Sequence, residues 1–101
     1  MMGMMIDGKR RMRAYSMAST KHDDHIEWIS IKLEDGPLTS RLQNISIGDK
    51  VIVNDKSSGT LVNDNLQSGR NLYLISTGTG IAPFLGIIKD AETYDKFEHV
   101  I

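Results

Sequence analysis

Three residues near the start of the chain have side chains that suit a flat ring carrying a pyrophosphate. They are Arg13, Tyr15 and Ser16, in the stretch Arg13-Ala14-Tyr15-Ser16. An aromatic side chain can stack on a ring, a hydroxyl can bind its polar edge, and the planar arginine fork binds phosphate with two hydrogen bonds. On a strand, Arg13 and Tyr15 would project from the same face. The alternative is a solvated arginine and an ordinary strand aromatic, because a four-residue motif often occurs by chance.

A glycine-rich turn much later in the chain suits a second phosphate-bearing ligand. The sequence Thr77-Gly78-Thr79-Gly80-Ile81-Ala82-Pro83 follows the apolar run 72–75, which predicts a parallel strand covered on both faces. Residues 82–89 then predict a helix with Leu85 and Ile88 on its buried side. A strand, a glycine-rich turn and a helix, in this order, are the first elements of a nucleotide-binding unit. Pro83 fits the first turn of a helix. Since a proline replaces the last glycine of the dinucleotide fingerprint, a purely structural turn is the alternative.

The elements that must position the first motif begin with a predicted hairpin. Residues 1–6 predict a strand, and Asp7-Gly8 is a strong signal for a tight turn. Met4, Met5 and Ile6 are expected in the core. The basic residues that follow, Lys9, Arg10, Arg11 and Arg13, favour a solvated face or a face for an acidic partner over nucleic-acid binding.

A second strand is predicted beside this hairpin. Residues 26–33 alternate, with Ile29, Ile31 and Leu33 on one face, as in a half-buried antiparallel strand. The preceding loop ends in His22-Asp23-Asp24-His25. Two histidines around two aspartates suggest a metal, but no third ligand is adjacent in sequence and the loop is polar. A solvated turn is therefore predicted, and no metal site.

A short helix over residues 38–43 is predicted after the break at Asp35-Gly36-Pro37. The start of a helix presents free amides that can bind phosphate, and Thr39 is the expected N-cap. Residues 50–53 and 60–62 predict further short strands, and 63–70 a polar linker. Several short strands with frequent turns indicate a compact antiparallel Greek-key barrel.

Composition limits the possible functions. The chain has 101 residues, a net charge of −1 and no cysteine. The near-neutral charge favours neither nucleic acid nor membrane as a partner. The lack of cysteine excludes disulfides and fits a cytoplasmic location, and no apolar run approaches the length of a membrane span or resembles a signal peptide.

The chain resembles the bacterial ferredoxin–NADP reductases in five segments that occur in the family's order. These are RAYSMAS, IEWISIKLEDGPLTSRLQ, GDKVIV, SSGTLV and NLYLISTGTGIAPFLGIIKD. The resemblance implies a mainly β fold. Residues 1–68 would form an antiparallel Greek-key flavin-binding barrel without its first strands, and residues 69–101 the truncated start of an α/β NAD(P)-binding domain.

The resemblance also implies a function and a set of site residues. The function is an FAD-dependent oxidoreductase that transfers electrons between NADPH and ferredoxin or flavodoxin, although this stretch alone is expected to be inactive. Alternatives are a reductase component of an oxygenase or cytochrome system, and a non-enzymatic flavin-binding module. Tyr15 would stack on the flavin, Ser16 would bind its reactive edge, and Thr79 would contact both cofactors. The residues implied to bind FAD or NADP(H) are Arg13, Ala14, Tyr15, Ser16, Ile29, Ser30, Ile31, Lys32, Pro37, Leu38, Thr39, Thr77, Gly78, Thr79, Gly80 and Pro83.

Overall fold

The computed structural model describes all 101 residues, which form two compact units. Unit one combines Met1–Tyr15 with Ser30–Ser58, and unit two combines Ser16–Ile29 with Gly59–Ile101. Each unit is therefore built from two separate stretches of the chain, whereas the predicted domains, 1–68 and 69–101, are consecutive. The domain boundary near residue 68 stays a prediction.

The predicted hairpin is confirmed in unit one. Strand β1 covers Met2–Ile6 and strand β2 covers Lys9–Arg13, and they pair antiparallel. Between them, Asp7 has φ 50° and Gly8 has φ 73°. Positive φ at both central residues is the geometry that the right-handed twist of a two-residue hairpin requires, and Asp-Gly adopts it readily.

A third strand completes the sheet of unit one. Strand β3, Ile52–Val53, pairs with the other edge of β1, so that the strand order is β2-β1-β3. Helix α1 covers Thr39–Leu42. Met2 and Leu38 are buried, but Met5 is 57% exposed, so its predicted place in the core is wrong. In β1 the buried pair is Met2 and its neighbour Gly3 rather than the residues nearest the turn.

The predicted strand over residues 26–33 does not form. Its one pairing is an isolated antiparallel bridge between Trp28 and Met17. Ile31 and Leu33 are about half exposed, at 53% and 50%, so their predicted burial is also wrong. Alternation shows which side chains share a face, but a strand also needs a neighbouring backbone to accept and donate its hydrogen bonds.

Unit two contains a pair of parallel strands, and the first of them, Gly69–Leu72, overlaps the predicted strand 72–75 only at Leu72. Its elements are a 3-10 turn at Asn63–Asn65, strand β4 at Gly69–Leu72, a 3-10 turn at Gly78–Ile81, helix α2 at Ala82–Lys89, helix α3 at Ala91–Lys96 and strand β5 at Phe97–Val100. Strands β4 and β5 are parallel, with Gly69 opposite Phe97. Tyr73 and Ile75 are 62% and 86% exposed, so the expected covering of this run on both faces is wrong. Only one neighbouring strand pairs with β4.

The core of unit two is formed by residues of α2, α3 and β5. Ala82, Ile87 and Phe97 are buried, and Thr93 is fully buried. The Thr93 hydroxyl donates to the Ile87 carbonyl at 2.5 Å and accepts from the Asn63 amide at 2.9 Å. Ile88, predicted to be buried, is 40% exposed. Helical periodicity indicates that one face is apolar, but the neighbours that pack on the helix decide which residue is covered.

No helix of this structure is both long enough and apolar enough to cross a membrane.

Candidate functional site

Tyr15 is oriented by a hydrogen bond that sequence reasoning did not predict. It lies just after β2 in unit one, half-buried, with its hydroxyl 3.1 Å from the Ser30 hydroxyl. The Ser30 hydroxyl donates to the Ile31 carbonyl at 3.2 Å, so the Tyr15 hydroxyl acts as the donor to Ser30. The polar end of the Tyr15 ring is thereby fixed, and the faces of the ring stay available for stacking. The bond also joins two predicted site segments.

Arg13 is the last residue of β2 and carries an exposed guanidinium group. Its Nη1 donates to the Met12 carbonyl at 2.9 Å, and it forms no salt bridge. An arginine without a carboxylate partner keeps most of its five N–H donors for an anion. Ala14, between Arg13 and Tyr15, is also exposed. The predicted phosphate-binding role of Arg13 fits this arrangement and stays a prediction.

The start of α1 differs from the predicted arrangement. The N-cap is Leu38, which makes no side-chain cap hydrogen bond, while the Thr39 hydroxyl donates to the Leu33 carbonyl at 3.3 Å. Thr39 as N-cap is therefore wrong, because the helix begins at Thr39 itself. The backbone N–H groups of Leu38 and Thr39 have no acceptor within the chain. Two adjacent free donors beside the exposed Pro37 suit a phosphate oxygen.

Leu38 contributes to this position through packing. Its side chain is only 1% exposed, which makes it the most buried large side chain of unit one. A ligand can therefore meet the backbone of Leu38 but not its side chain. Burial of this leucine fixes the place of the two free amides.

The predicted cofactor neighbours 29–32 lie in both units. Ile29 is half-buried in unit two, whereas Ser30, Ile31 and Lys32 are exposed in unit one. No ladder pairs these residues, so their backbone groups are open to other partners. Their predicted role as neighbours of the ring stays a prediction.

The glycine-rich turn leads directly into α2, as predicted. Gly78 has φ 53°, in the left-handed region, and a Cβ at this position would meet nothing within 4 Å. The need for glycine is therefore conformational, and the space above it is open to a ligand. The Gly80 amide donates to the Thr77 carbonyl at 3.0 Å, which closes the turn. Thr79 is exposed, and Pro83 lies in the first turn of α2.

The segment Ser16–Ile29 packs against α2 within unit two, a contact that sequence reasoning missed. Glu27 forms a 2.6 Å salt bridge with Lys89 at the end of α2. At the middle of the helix, a Cβ on Gly86 would lie 3.0 Å from the Ser19 carbonyl oxygen, so the two backbones approach closely. The hydrogen bond from Lys89 holds the pKa of Glu27 below its ordinary value, and the bond from His25 adds to this effect.

The structure brings one pair of predicted site residues into contact, and it lies in unit one. In unit one, Tyr15 and Ser30 are in contact. In unit two, Ser16 begins the segment that packs on the helix following the glycine turn. The predicted joint contact of Tyr15 and Thr79 with one ring stays a prediction.

Comparison with known proteins gives a consistent set of relatives, although no family model matches the chain. It is 55% identical over 101 residues to a ferredoxin–NADP reductase of Pseudomonas aeruginosa and 50% identical to that of Azotobacter vinelandii. It is 51% identical to a flavodoxin/ferredoxin–NADP reductase of Rhodobacter capsulatus. Each match covers 100% of this chain but only 38% to 39% of the relative. The chain thus spans about two fifths of the length of these relatives.

A solved structure matches the fold. The crystal structure of a ferredoxin NADP+ reductase from Neisseria gonorrhoeae with bound FAD and NADP aligns with a TM-score of 0.89 and 29% identity. The alignment covers 98% of this chain and 40% of the other. It confirms the predicted fold class, antiparallel barrel strands followed by the first strand and helix of an α/β domain.

Proposed function

We propose that the chain forms part of an FAD-dependent reductase of the ferredoxin–NADP reductase family, because it is 50% to 55% identical over its whole length to one segment of such reductases. The enzyme would transfer electrons between NADPH and ferredoxin or flavodoxin. The observation that carries the proposal is the Tyr15–Ser30 hydrogen bond, which orients an aromatic ring two residues beyond an unpaired arginine.

The residues of unit one fit the two parts of FAD. Tyr15 offers a ring face for the flavin. Ser16, which is the first residue of unit two, has an exposed hydroxyl. Arg13 and the amides of Leu38 and Thr39 suit the pyrophosphate, because Arg13 forms no salt bridge and the two amides have no acceptor within the chain. When bound, FAD supplies the chemistry of accepting a hydride and releasing single electrons.

The glycine turn of unit two fits the phosphates of the nicotinamide nucleotide. The open space above Gly78 permits close approach of a ligand to the backbone, and α2 is a full eight-residue helix behind it. Thr77, Gly78, Thr79, Gly80 and Pro83 would bind and orient NADP(H) rather than exchange protons with it. No side chain of the chain needs to act as a general base in this scheme.

The exposed cations of β2 suit an acidic electron carrier. Lys9, Arg10 and Arg11 are exposed and form no salt bridge, although the net charge of the chain is only −1. Uncompensated charge on one strand attracts an oppositely charged partner and orients its approach. The carrier would be ferredoxin or flavodoxin, as the names of the relatives indicate.

The proposal is tested by flavin retention. We expect the purified chain, mixed with FAD and freed of excess, to keep flavin absorption bands that Tyr15→Ala weakens several-fold, because the ring loses its stacking surface. The matched control is Tyr73→Ala, at an exposed tyrosine of unit two, which should retain flavin as the unsubstituted chain does. Equal retention by the Tyr15→Ala variant would contradict the proposed role of Tyr15.

A further inference from the structure

A histidine and two carboxylates from distant parts of the sequence lie together in unit two. His22 belongs to the segment Ser16–Ile29, Asp90 is the N-cap of α3, and Glu92 lies in its first turn. One ligand atom from each residue lies within 4.8 Å of the other two. We propose that these three residues, here called the His22 cluster, bind a divalent first-row transition-metal ion such as zinc. None of them belongs to the proposed flavin or nucleotide site.

Each residue of the cluster keeps a ligand atom free. Asp90 Oδ1 accepts from the Glu92 amide at 3.0 Å, and Glu92 Oε1 accepts from Lys21 Nζ at 2.8 Å. The second oxygen of each carboxylate is not used in these bonds. The His22 ring takes part in no hydrogen bond or salt bridge, since only its backbone amide bonds, to Thr20. A metal ion can thus be bound without loss of the α3 cap.

The charges around the cluster favour a cation. Lys21 Nζ forms a salt bridge of 2.8 Å with Glu92 Oε1, so the cluster already pairs with one cation. A divalent ion would replace it as the counter-charge, so Lys21 competes with the metal for Glu92.

The donor set and its rigidity determine the kind of ion. One imidazole and two carboxylates suit zinc and its first-row neighbours, and three protein ligands leave a coordination position for water. Asp90 is only 7% exposed and is fixed by its capping bond. Tetrahedral zinc needs ligand atoms roughly 3.4 Å apart. The exposed His22 side chain can close the remaining distance to Asp90 and Glu92.

The test is calorimetric titration of the whole chain with zinc chloride at neutral pH in a buffer that does not bind metals. We expect one zinc ion per chain and a raised unfolding temperature, because the ion binds the folded state alone. His22→Ala and Glu92→Gln should each weaken binding about tenfold or more. Asp90→Asn should do the same while keeping an oxygen for the α3 cap. Lys21→Gln should tighten binding several-fold, because it removes the competing ammonium group.

The matched control is His25→Ala. His25 lies on the same loop and also contacts two carboxylates, those of Asp24 and Glu27, but it is not part of the cluster. The variant should bind zinc as the unsubstituted chain does. The proposal is overturned if the chain binds no zinc, if His22→Ala leaves the affinity unchanged, or if His25→Ala weakens binding as much as His22→Ala does.

Discussion

At the scale of single residues, the hydrogen bond between the Tyr15 and Ser30 hydroxyls fixes the orientation of one aromatic ring in unit one. Tyr15 and Ser30 both stand among the predicted site residues, yet their hydrogen bond was not predicted. Residues far apart in sequence meet only through the tertiary fold, and a hydroxyl has several possible partners. The orientation of the Tyr15 ring could therefore not be predicted from the sequence.

Gly78 illustrates the opposite case, in which the residue type itself is informative. Its φ of 53° is unfavourable for any residue with a Cβ. We expect Gly78→Ala to lower the free energy of unfolding by about 1 to 2 kcal/mol, the cost of the left-handed conformation. Urea denaturation followed by circular dichroism measures this change.

Gly80→Ala is the control for that prediction. Gly80 has no positive φ, and a Cβ there would make an ordinary contact, 3.7 Å from the Ser76 Cβ. Its stability should stay within about 0.5 kcal/mol of the unsubstituted chain. Equal destabilisation by both substitutions would show that the turn is sensitive to any side chain and that conformation is not the cause.

At the scale of elements, local sequence signals predicted the hairpin and α2 correctly. They failed for the strand 26–33, because a strand forms only where a neighbouring strand pairs with it. The Asp7-Gly8 turn and the helix Ala82–Lys89 depend on nearby residues alone, and both form with the predicted bounds. The strand expected at residues 26–33 depends on a partner, and only the Met17–Trp28 bridge forms. Sequence alternation does not identify the neighbour of a strand.

The salt bridges of the segment Ser16–Ile29 make its attachment to α2 depend on pH. His25 lies 2.7 Å from Asp24 and 3.2 Å from Glu27, and these hydrogen bonds raise its pKa above 6.5. A raised pKa in the folded state means that protonation favours folding. The stabilisation is complete below pH 6.5 and is lost as the pH rises through the folded-state pKa. We expect the urea midpoint to fall slightly from about pH 6 to about pH 8.

The comparison that isolates His25 uses two substitutions. His25→Gln should remove most of this fall, because it keeps a polar side chain but cannot be protonated. His99→Gln, at an exposed histidine on β5, should leave the fall intact. A His25→Gln variant with the same pH dependence as the unsubstituted chain would place the titrating group elsewhere.

At the scale of the whole molecule, total charge conceals how the charge is distributed. The net charge is −1, but β2 presents three exposed cations in succession, and in unit two the carboxylates of Asp64, Asp90 and Glu92 surround Lys21. The sequence predicted the basic stretch, since it is contiguous. It could not predict the group of carboxylates, because Asp64 and the residues at the start of α3 come near Lys21 only in the folded unit.

The basic strand should determine how carrier binding responds to salt. We expect Lys9→Glu and Arg10→Glu to weaken binding of ferredoxin several-fold at low ionic strength and to reduce its salt dependence, because each reversal replaces attraction by repulsion. Lys56→Glu, elsewhere in unit one, is the control of equal charge change and should have the smaller effect. The measurement is the affinity of each variant for the carrier over a series of salt concentrations. An unchanged salt dependence would show that β2 does not face the carrier.

The burial of Leu38 affects how mutations at this site should be interpreted. The side chain is enclosed, and the group offered to a ligand is the main-chain N–H, which every substitution except proline retains. A mutational scan scored by flavin retention would mark Leu38 as a contact residue, and smaller side chains would score worst. The true requirement at this position is volume, since it is the size of the leucine that holds the amide in place.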